Sequence, residues 1–196
     1  MADEVIRSFI AIELPGELAK QLKDFQAGLK SQGLHSAKWV DPGYMHLTLK
    51  FLGDVDVKSL AAVKDETGIA VRSSRRFHLV TGRTGFFPDH RRPRVFWLGL
   101  EGDVEALATL HKVIDAAMSK LGYARENRPF TAHLTLARLR EESSIDDRMD
   151  FARTSQAEVF EPPCNIEVNS VALIRSQLTP RGAVYTRLAE FGLPDS

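Results

Sequence analysis

The sequence predicts a protein of mixed helices and strands, built from two similar strand–helix–strand halves. The chain has 196 residues, of which 43% are hydrophobic and 27% charged. This composition is typical of a globular domain that is long enough to bury its own core. Apolar residues recur at helical spacing in some segments and alternate with polar residues in others. An early stretch of the chain also matches a later one without a gap.

Composition excludes several protein classes. The single cysteine, Cys164, excludes an intramolecular disulfide and any zinc site with two or more cysteines. The longest strictly apolar runs, such as residues 9–12, are far shorter than the ~20 residues of a membrane span. The first four residues are acidic overall and lack the basic start of a signal peptide. We therefore expect a cytoplasmic protein with no membrane association.

The first half of the chain predicts a strand, a helix, a second strand and a second helix. Residues 6–13 are apolar and β-prone, and Pro15-Gly16 ends this segment. Apolar residues then recur every three or four positions, which is the spacing of one helix face: Leu18, Leu22, Phe25 and Leu29. Gly33 ends this helix. Residues 46–51 alternate polar and apolar, which predicts a strand with one buried face, and residues 57–71 predict a helix.

The second half repeats this order. Strands are predicted at residues 77–87, 94–100, 131–139, 166–174 and 183–188. A third helix is predicted by an apolar stripe that Gly122 follows: Leu107, Leu110, Ile114, Ala117 and Leu121. Residues 145–152 predict a short acidic helix.

An internal repeat underlies this order. Shifting the chain by 87 residues aligns residues 7–53 with 94–140, and eleven of the 47 aligned positions are identical. Average residue usage would give about three. The helix stripes align better at an offset of 89, which indicates a small insertion. We predict a single domain, residues 1–196, made of two interleaved lobes that are related by an approximate two-fold axis.

The repeat contains a polar motif in both copies. His46-Leu47-Thr48-Leu49 matches His133-Leu134-Thr135-Leu136. Residues i and i+2 of a strand share a face, so each histidine points the same way as its threonine while the leucines point into the core. If the halves are related by a two-fold axis, two imidazoles and two hydroxyls converge across a cleft.

This set of side chains suits the hydrolysis of a phosphodiester by general acid–base catalysis. A neutral imidazole can take a proton from water while a protonated one gives a proton to the leaving oxygen, because the imidazole pKa is near ~6.5. The threonine hydroxyls can donate to the non-bridging oxygens. A single His-x-Thr is usually incidental, whereas two copies at matching positions favour function.

No metal and no other cofactor is expected. The two histidines lack a third protein ligand at a fixed spacing. The other histidines have no partner pattern, and we expect His111 to be structural: His35, His78, His90 and His111.

Charge is balanced overall, with 26 basic and 26 acidic side chains, but it is not even along the chain. Residues 72–94 contain seven arginines and one acid, Asp89. This segment could be a patch for a polyanion or an ordinary solvated loop and strand edge, and charge alone does not separate the two. Trp39, Phe9 and Phe130 could stack a base, although core packing is favoured for Phe9.

At these residues the chain resembles a known family, the two-histidine (2H) phosphoesterases. Within them it resembles the RNA 2′,3′-cyclic phosphodiesterases, which are also called 2′-5′ RNA ligases. The resemblance covers nearly the whole chain and rests on both His-Leu-Thr-Leu motifs and on the segments around them: residues 9–12, 38–40, 50–53, 85–88, 93–95, 128–131, 176–178 and 182–185. Thr131-Ala132 stands where Thr-Pro is more usual.

The resemblance implies a bilobal α+β fold, with antiparallel sheets lining a central cleft and helices outside. It implies hydrolysis of the 2′,3′-cyclic phosphate of RNA to a 2′-phosphate without metal, with joining or cutting of 2′-5′ linkages in tRNA halves as a further in vitro activity. By the same resemblance His46 is the general acid on O3′, His133 is the base on water, and Arg138 contacts the phosphate. Strict alternation puts Arg138 on the face opposite His133, so it needs a bulge or the strand end to reach the cleft. Lys50 shares parity with His46 and Thr48, so it could face the phosphate or lie at the solvent end of its strand, and we expect the solvent end.

Two other functions stay open. One is a phosphodiesterase of 2′-5′ oligonucleotides or small cyclic nucleotides, and the other is a non-catalytic RNA-binding module. The intact residues of both motifs argue against the non-catalytic module. The expected partners are RNA with a cyclic phosphate end or cyclic nucleotides, and the expected state is a monomer.

Overall fold

The computed structural model describes residues 4–34, 36–126, 130–179 and 182–195. His35, Arg128-Pro129 of the family resemblance, and the first three residues lie outside the described part. In chain order the strands and α-helices are β1 (Val5–Glu13), α1 (Gly16–Ser31), β2 (Ala37–Trp39), β3 (His46–Asp56), α2 (Leu60–Val71), β4 (Phe77–Phe87), β5 (Val95–Gly102), α3 (Val104–Lys120), β6 (His133–Leu139), α4 (Ile145–Ala157), β7 (Asn165–Val168), β8 (Ser170–Thr179) and β9 (Gly182–Gly192).

The strands form two antiparallel sheets. The first has the order β3-β1-β8-β9 and the second has the order β2-β6-β5-β4-β7. Helices α1 and α3 bury their apolar stripes against these sheets, with Leu18, Leu22, Leu107 and Leu110 fully buried. The predicted α+β class is confirmed. No helix in the described part of the chain is long and apolar enough to cross a membrane.

The two halves exchange strands. β1 pairs with β3 in the first sheet, and β5 pairs with β6 in the second, in the same antiparallel sense. β4 then joins β5, and β8 joins β1, so each half extends the sheet of the other. This equivalent pairing is what an interleaved repeat would produce, and the repeat itself stays a prediction.

The predicted strand at residues 166–174 is wrong, because it is two strands in different sheets. β7 ends at Val168 and lies beside β4, whereas β8 begins at Ser170 and lies beside β1. Asn169 forms the break, and its carbonyl accepts a hydrogen bond from the Leu193 amide. Buried and exposed residues alternate from Asn165 to Asn169, whereas all four residues from Val171 to Ile174 are buried. The alternation therefore changes at the break, and a single strand over both segments did not take account of this change.

Two element ends also differ from the prediction. The strand expected from residue 131 begins at His133, and the short acidic helix extends to Ala157. Ser144 caps this helix through a reciprocal pair of hydrogen bonds with Asp147. The inward faces of β3 and β6 contribute four leucines to the hydrophobic core: Leu47, Leu49, Leu134 and Leu136.

Candidate active site

Both His-x-Thr pairs lie on partly exposed strand faces. His46 and Thr48 of β3 are half-buried, while Leu47 and Leu49 between and after them are fully buried. His133 and Thr135 of β6 show the same pattern against Leu134 and Leu136. The polar pairs therefore lie away from the core, as strand alternation predicts.

Each histidine is fixed by a hydrogen bond to the backbone two residues before it. His46 Nδ1 lies 3.0 Å from the Tyr44 carbonyl oxygen, and His133 Nδ1 lies 2.7 Å from that of Thr131. A carbonyl oxygen can only accept, so Nδ1 carries a hydrogen in both rings. This leaves Nε2 of each imidazole free to exchange a proton with a substrate.

The two strands that carry these pairs are neighbours in space. β3 is an edge strand of the first sheet, and β6 lies beside the edge strand β2 of the second. Cα atoms of β3 and β6 come within 8 Å of each other across the two sheets. The structure thus brings the two motif strands together.

Aromatic side chains surround His46. Phe9 stacks on its ring at a centroid distance of 4.4 Å, and Tyr185 contacts it edge-on at 5.1 Å. Burial lowers the pKa of His46 below the ordinary histidine value, and the hydrogen bond to Tyr44 opposes this shift. The free protein therefore favours a neutral His46 at neutral pH.

His133 has a different aromatic neighbourhood. The Phe87 ring meets it edge-on at a centroid distance of 4.9 Å, and the Trp97 ring lies at 6.4 Å. Trp97 lies flat over Gly85, where a Cβ atom would come within 2.3 Å of the indole ring. Only glycine at this position lets Trp97 lie beside the histidine.

A β-bulge in β6 decides where Arg138 lies. Thr135 pairs with Trp97 and Ala137 pairs with Phe96, so Leu136 is an extra residue without its own partner. The extra residue shifts the alternation, so that Leu136 and Ala137 are both buried and Arg138 is exposed. Arg138 therefore shares the face of His133 and Thr135, through the bulge that this placement requires.

The equivalent bulge in β3 overturns the expectation for Lys50. Thr48 pairs with Ala11 and Lys50 pairs with Ile10, which leaves Leu49 as the extra residue. Lys50 is consequently turned inward and is only 6% exposed. Its ammonium group donates to Asp115 of α3 and to the Ala124 carbonyl. The prediction that Lys50 lies at a solvent end was wrong because parity alone cannot show a bulge.

Trp39 and Phe130 pack on other side chains instead of being placed to stack a base, and Phe9 is buried, as the sequence favoured. Trp39 packs on Phe96 and Phe151, and Phe9 is only 3% exposed. Phe130 stacks on buried His111, at a centroid distance of 4.3 Å. His111 is therefore a packing residue, as expected.

Phe51 is an aromatic residue near the site that the sequence analysis did not identify. The bulge at Leu49 places Phe51 on the face of His46, where it is 70% exposed and lies 5.9 Å from the Phe9 ring. Tyr44, 46% exposed, contacts Tyr185 nearby. The sequence did not reveal the bulge in β3, and in a regular strand Phe51, five residues after His46, would point to the opposite face.

The arginine-rich segment does not form one patch. Arg75 and Arg76 precede the first residue of β4, whereas Arg91 and Arg92 follow its last residue. Eleven residues of strand separate the two pairs, which is roughly 35 Å. Arg76 pairs with Asp195, and Arg92 pairs with Asp89. The two pairs therefore cannot be one surface.

Within the described ranges, no three histidine, cysteine, aspartate or glutamate side chains are grouped so that they could hold one metal ion. His78 and Glu167, which approach to 3.9 Å, are both exposed.

Known proteins are similar to this chain in sequence and in fold. A sequence model of the LigT-like phosphoesterases matches residues 12–97 and again residues 98–185. An RNA 2′,3′-cyclic phosphodiesterase of Methanothermobacter thermautotrophicus is 33% identical over 96% of this chain and 99% of its own. One from Thermotoga maritima is 32% identical over 94% of both chains.

Solved structures give the same result. The E. coli LigT structure with 3′-AMP superposes with a TM-score of 0.75 at 27% identity, and covers 97% of this chain and 99% of LigT. The protein TT0787 of Thermus thermophilus superposes with a TM-score of 0.76 at 29% identity, over 97% of this chain and all of that one. With both halves matched by the family's sequence model, the chain belongs to the LigT-like phosphoesterase family.

Proposed function

We propose that this protein hydrolyses the 2′,3′-cyclic phosphate at RNA ends to a 2′-phosphate, with His46 and His133 as a metal-independent acid–base pair. The observation that carries the proposal is the repeated His-x-Thr strand, in which both imidazoles donate from Nδ1 to the backbone and keep Nε2 free. The names of the relatives, RNA 2′,3′-cyclic phosphodiesterases, support the choice of substrate.

The reaction needs two proton transfers. His133 takes a proton from water as the water oxygen bonds to phosphorus. The bond from phosphorus to O3′ breaks, and His46 gives its proton to O3′. The phosphate stays on O2′, and the two histidines end in the opposite protonation states.

The low pKa of His46 fits this scheme if substrate binding raises that pKa, so that the ring takes up a proton from solvent. Burial favours the neutral ring in the free protein. A phosphodiester anion beside the ring favours the imidazolium, because an opposite charge stabilises the charged form. Substrate binding would therefore raise the pKa of His46 and prepare it to act as the acid.

Three further side chains bind the phosphate: Thr48, Thr135 and Arg138. The hydroxyls of Thr48 and Thr135 donate to the non-bridging oxygens, whose charge grows in the transition state. Arg138 adds a guanidinium on the same face as His133. If the 5′-hydroxyl of a second RNA takes the place of water, the same groups would join a 2′-5′ linkage as the bond from phosphorus to O3′ breaks. In the reverse reaction O3′ would attack the phosphorus and the 5′-hydroxyl would leave, which cuts such a linkage, as in tRNA halves. That the protein is cytoplasmic and monomeric stays a prediction.

One assay tests the proposal. An RNA oligonucleotide ending in a 2′,3′-cyclic phosphate is incubated with the protein in EDTA, and the product is examined by ³¹P NMR. We expect a 2′-phosphate and full activity in EDTA. A 3′-phosphate would reverse the assignment of the leaving oxygen. Loss of activity in EDTA that zinc or manganese restores would replace the imidazole mechanism with a metal hydroxide.

A second assay separates the acid from the base. An aryl phosphodiester has a leaving group that needs no acid. The removal of His46 should therefore cost much less activity on the aryl ester than on the cyclic phosphate, whereas removal of His133 should cost similar amounts on both. The opposite pattern would exchange the two roles.

A further inference from the structure

Lys38 and Arg138 are adjacent residues on neighbouring strands. β2 pairs with β6 so that Lys38 lies directly opposite Arg138. Directly opposite residues share a face, and their Cα atoms are about 5 Å apart. Trp39 and its partner Ala137 are turned to the core, so Lys38 and Arg138 lie on the other, exposed face. This is the face of His133 and Thr135.

These two cations have no counter-ion within the described residues. Neither side chain has a carboxylate at ion-pair distance, whereas Arg140, further along the same loop edge, has Glu142 at 3.7 Å. Like charges on directly opposite strand positions repel each other. An anion bound between them would relieve that repulsion, so the pair is suited to a phosphate.

The position of the pair relative to the motif fits the path of a nucleic acid strand. Arg138 lies three residues after Thr135, and the bulge at Leu136 shortens this distance to about 7–10 Å. Lys38 lies one strand further out, on β2, which is the edge of its sheet. Among the described residues no strand lies beyond β2, so a chain that leaves the motif can pass over it.

We propose that Lys38, together with Arg138, binds the phosphate on the 5′ side of the terminal nucleotide. This inference rests on the proposed function, because a cyclic phosphate occupies the 3′ end and every other phosphate of the RNA lies on its 5′ side. Arg138 contacts the reacting phosphate and the next one, whereas Lys38 contacts only the next one. Lys38 is thus a specificity residue that distinguishes an RNA end from a cyclic mononucleotide.

The kinetic test uses two substrates that differ by one phosphate. Adenosine 2′,3′-cyclic phosphate has no 5′-phosphate, and its 5′-phosphorylated form has one. We expect the 5′-phosphate to lower KM of the wild-type protein by about two- to fivefold. Lys38→Gln should reduce this difference to the part that Arg138 contributes, without changing kcat or the KM of the unphosphorylated substrate. Lys38→Arg should retain it, and Lys112→Gln, at an exposed position of α3, should behave as wild type.

Salt dependence gives a second kinetic readout. For a short RNA with a cyclic phosphate end, the slope of log KM against log salt should fall by about 0.7 in Lys38→Gln, the value for one lost phosphate contact on a single strand. An unchanged slope, or an equal rise of KM on both adenosine substrates, would overturn the subsite.

A binding measurement keeps this inference separate from the proposed function. Calorimetry compares adenosine 2′-phosphate with adenosine 2′,5′-bisphosphate, neither of which requires turnover. We expect the bisphosphate to bind the wild-type protein more tightly, and Lys38→Gln to show a clearly smaller preference for it, since only the Arg138 contact remains. If neither cyclic substrate is hydrolysed, the proposed function fails, while this binding difference still decides the subsite. Equal binding of both ligands by the wild-type protein would refute it.

Discussion

His46 and His133 are each held by one hydrogen bond to a carbonyl two residues earlier. That bond selects the ring form in which Nδ1 carries the hydrogen, so both residues present Nε2. Their surroundings differ, because Phe9 and Tyr185 pack on His46 whereas Phe87 and Trp97 pack near His133. A shared backbone geometry with unequal packing is suited to two imidazoles with opposite tasks.

Removal of either imidazole should damage catalysis strongly. We expect His46→Ala and His133→Ala each to lower kcat on a cyclic phosphate by at least ~10²-fold. The double variant should lose much less than the product of both losses, because the acid and the base act as a unit. Steady-state kinetics of all three variants is the measurement, with circular dichroism as the folding control. Near wild-type turnover in either single variant would contradict the mechanism.

The titration of His46 should respond to the ligand. Burial lowers its pKa, so in the free protein this ring should lose its proton below the ordinary value of ~6.5. Saturation with adenosine 2′-phosphate should move the midpoint to higher pH, because the phosphate stabilises the imidazolium. NMR of the imidazole protons measures both midpoints, and His46→Ala assigns the signal. A midpoint that does not move would show that the phosphate lies away from His46.

Among the elements, the bulges in β3 and β6 decide which side chains reach the site. In each strand the extra residue is the leucine that ends the His-x-Thr-Leu motif, Leu49 in β3 and Leu136 in β6. The following residue is turned to the core, as Lys50 and Ala137 are, and the next one faces the cleft side, as Phe51 and Arg138 do. The two strands thus use one backbone device to present an aromatic ring on one side and a cation on the other.

The inward Lys50 should be a strong determinant of stability. It binds Asp115 and the Ala124 carbonyl, and Asp115 also accepts from the Glu126 amide. Burial alone would raise the pKa of Asp115, but the hydrogen bonds from Lys50 and Glu126 lower it below its usual value. The carboxylate is therefore charged at neutral pH, and loss of Lys50 would leave it buried without a cation.

We accordingly expect Lys50→Met to lower the free energy of unfolding by roughly 3 kcal/mol. Lys50→Met combined with Asp115→Asn should lose clearly less than the two single losses added together, since the uncompensated charge is gone. Chemical denaturation of the four proteins measures this coupling. Strictly additive losses would mean that the two side chains do not form a stabilising pair.

On the scale of the whole molecule, the exchange of strands between the halves sets the distances between functional segments. β4 belongs by chain order to the first half but lies in the second sheet, where its last residue, Phe87, contacts His133. The loop with Arg91 and Arg92 follows Phe87 directly, whereas Arg75 and Arg76 lie at the far end of β4. Arg91 and Arg92 therefore follow the end of β4 that contacts His133, whereas Arg75 and Arg76 precede the opposite end.

Charge reversal should therefore separate the two pairs. Arg91→Glu with Arg92→Glu should raise KM for RNA with a cyclic phosphate end, and added salt should shrink the effect because phosphate contacts depend on counter-ion release. Arg75→Glu with Arg76→Glu serves as the matched control and should leave KM nearly unchanged. A cyclic mononucleotide should be insensitive to both changes. Equal effects of both pairs on RNA would show that the RNA path runs along β4 instead.

Local patterns in the sequence were enough to predict most helices and strands and to single out the motif residues. The helix stripes, the β-prone segments and the two His-Leu-Thr-Leu copies are local patterns, and short-range periodicity reports which face of an element is buried. The four motif side chains therefore lie on the predicted faces of β3 and β6. The presence of both helices and strands follows from the same local signals, whereas the α+β class was implied by the family resemblance.

The bulges and the break at Asn169 depend on pairing between strands that are distant in the sequence, so they appeared only in the folded structure. The bulges at Leu49 and Leu136 exist because Ile10 and Phe96 pair one residue further along than a regular ladder would allow, and no local pattern reveals this. The bulges turned Lys50 inward, Phe51 outward and Arg138 to the site. The break at Asn169 has the same origin, because the residues on either side of it pair with strands of different sheets. Side-chain alternation describes one strand, whereas register and sheet membership are properties of its partners.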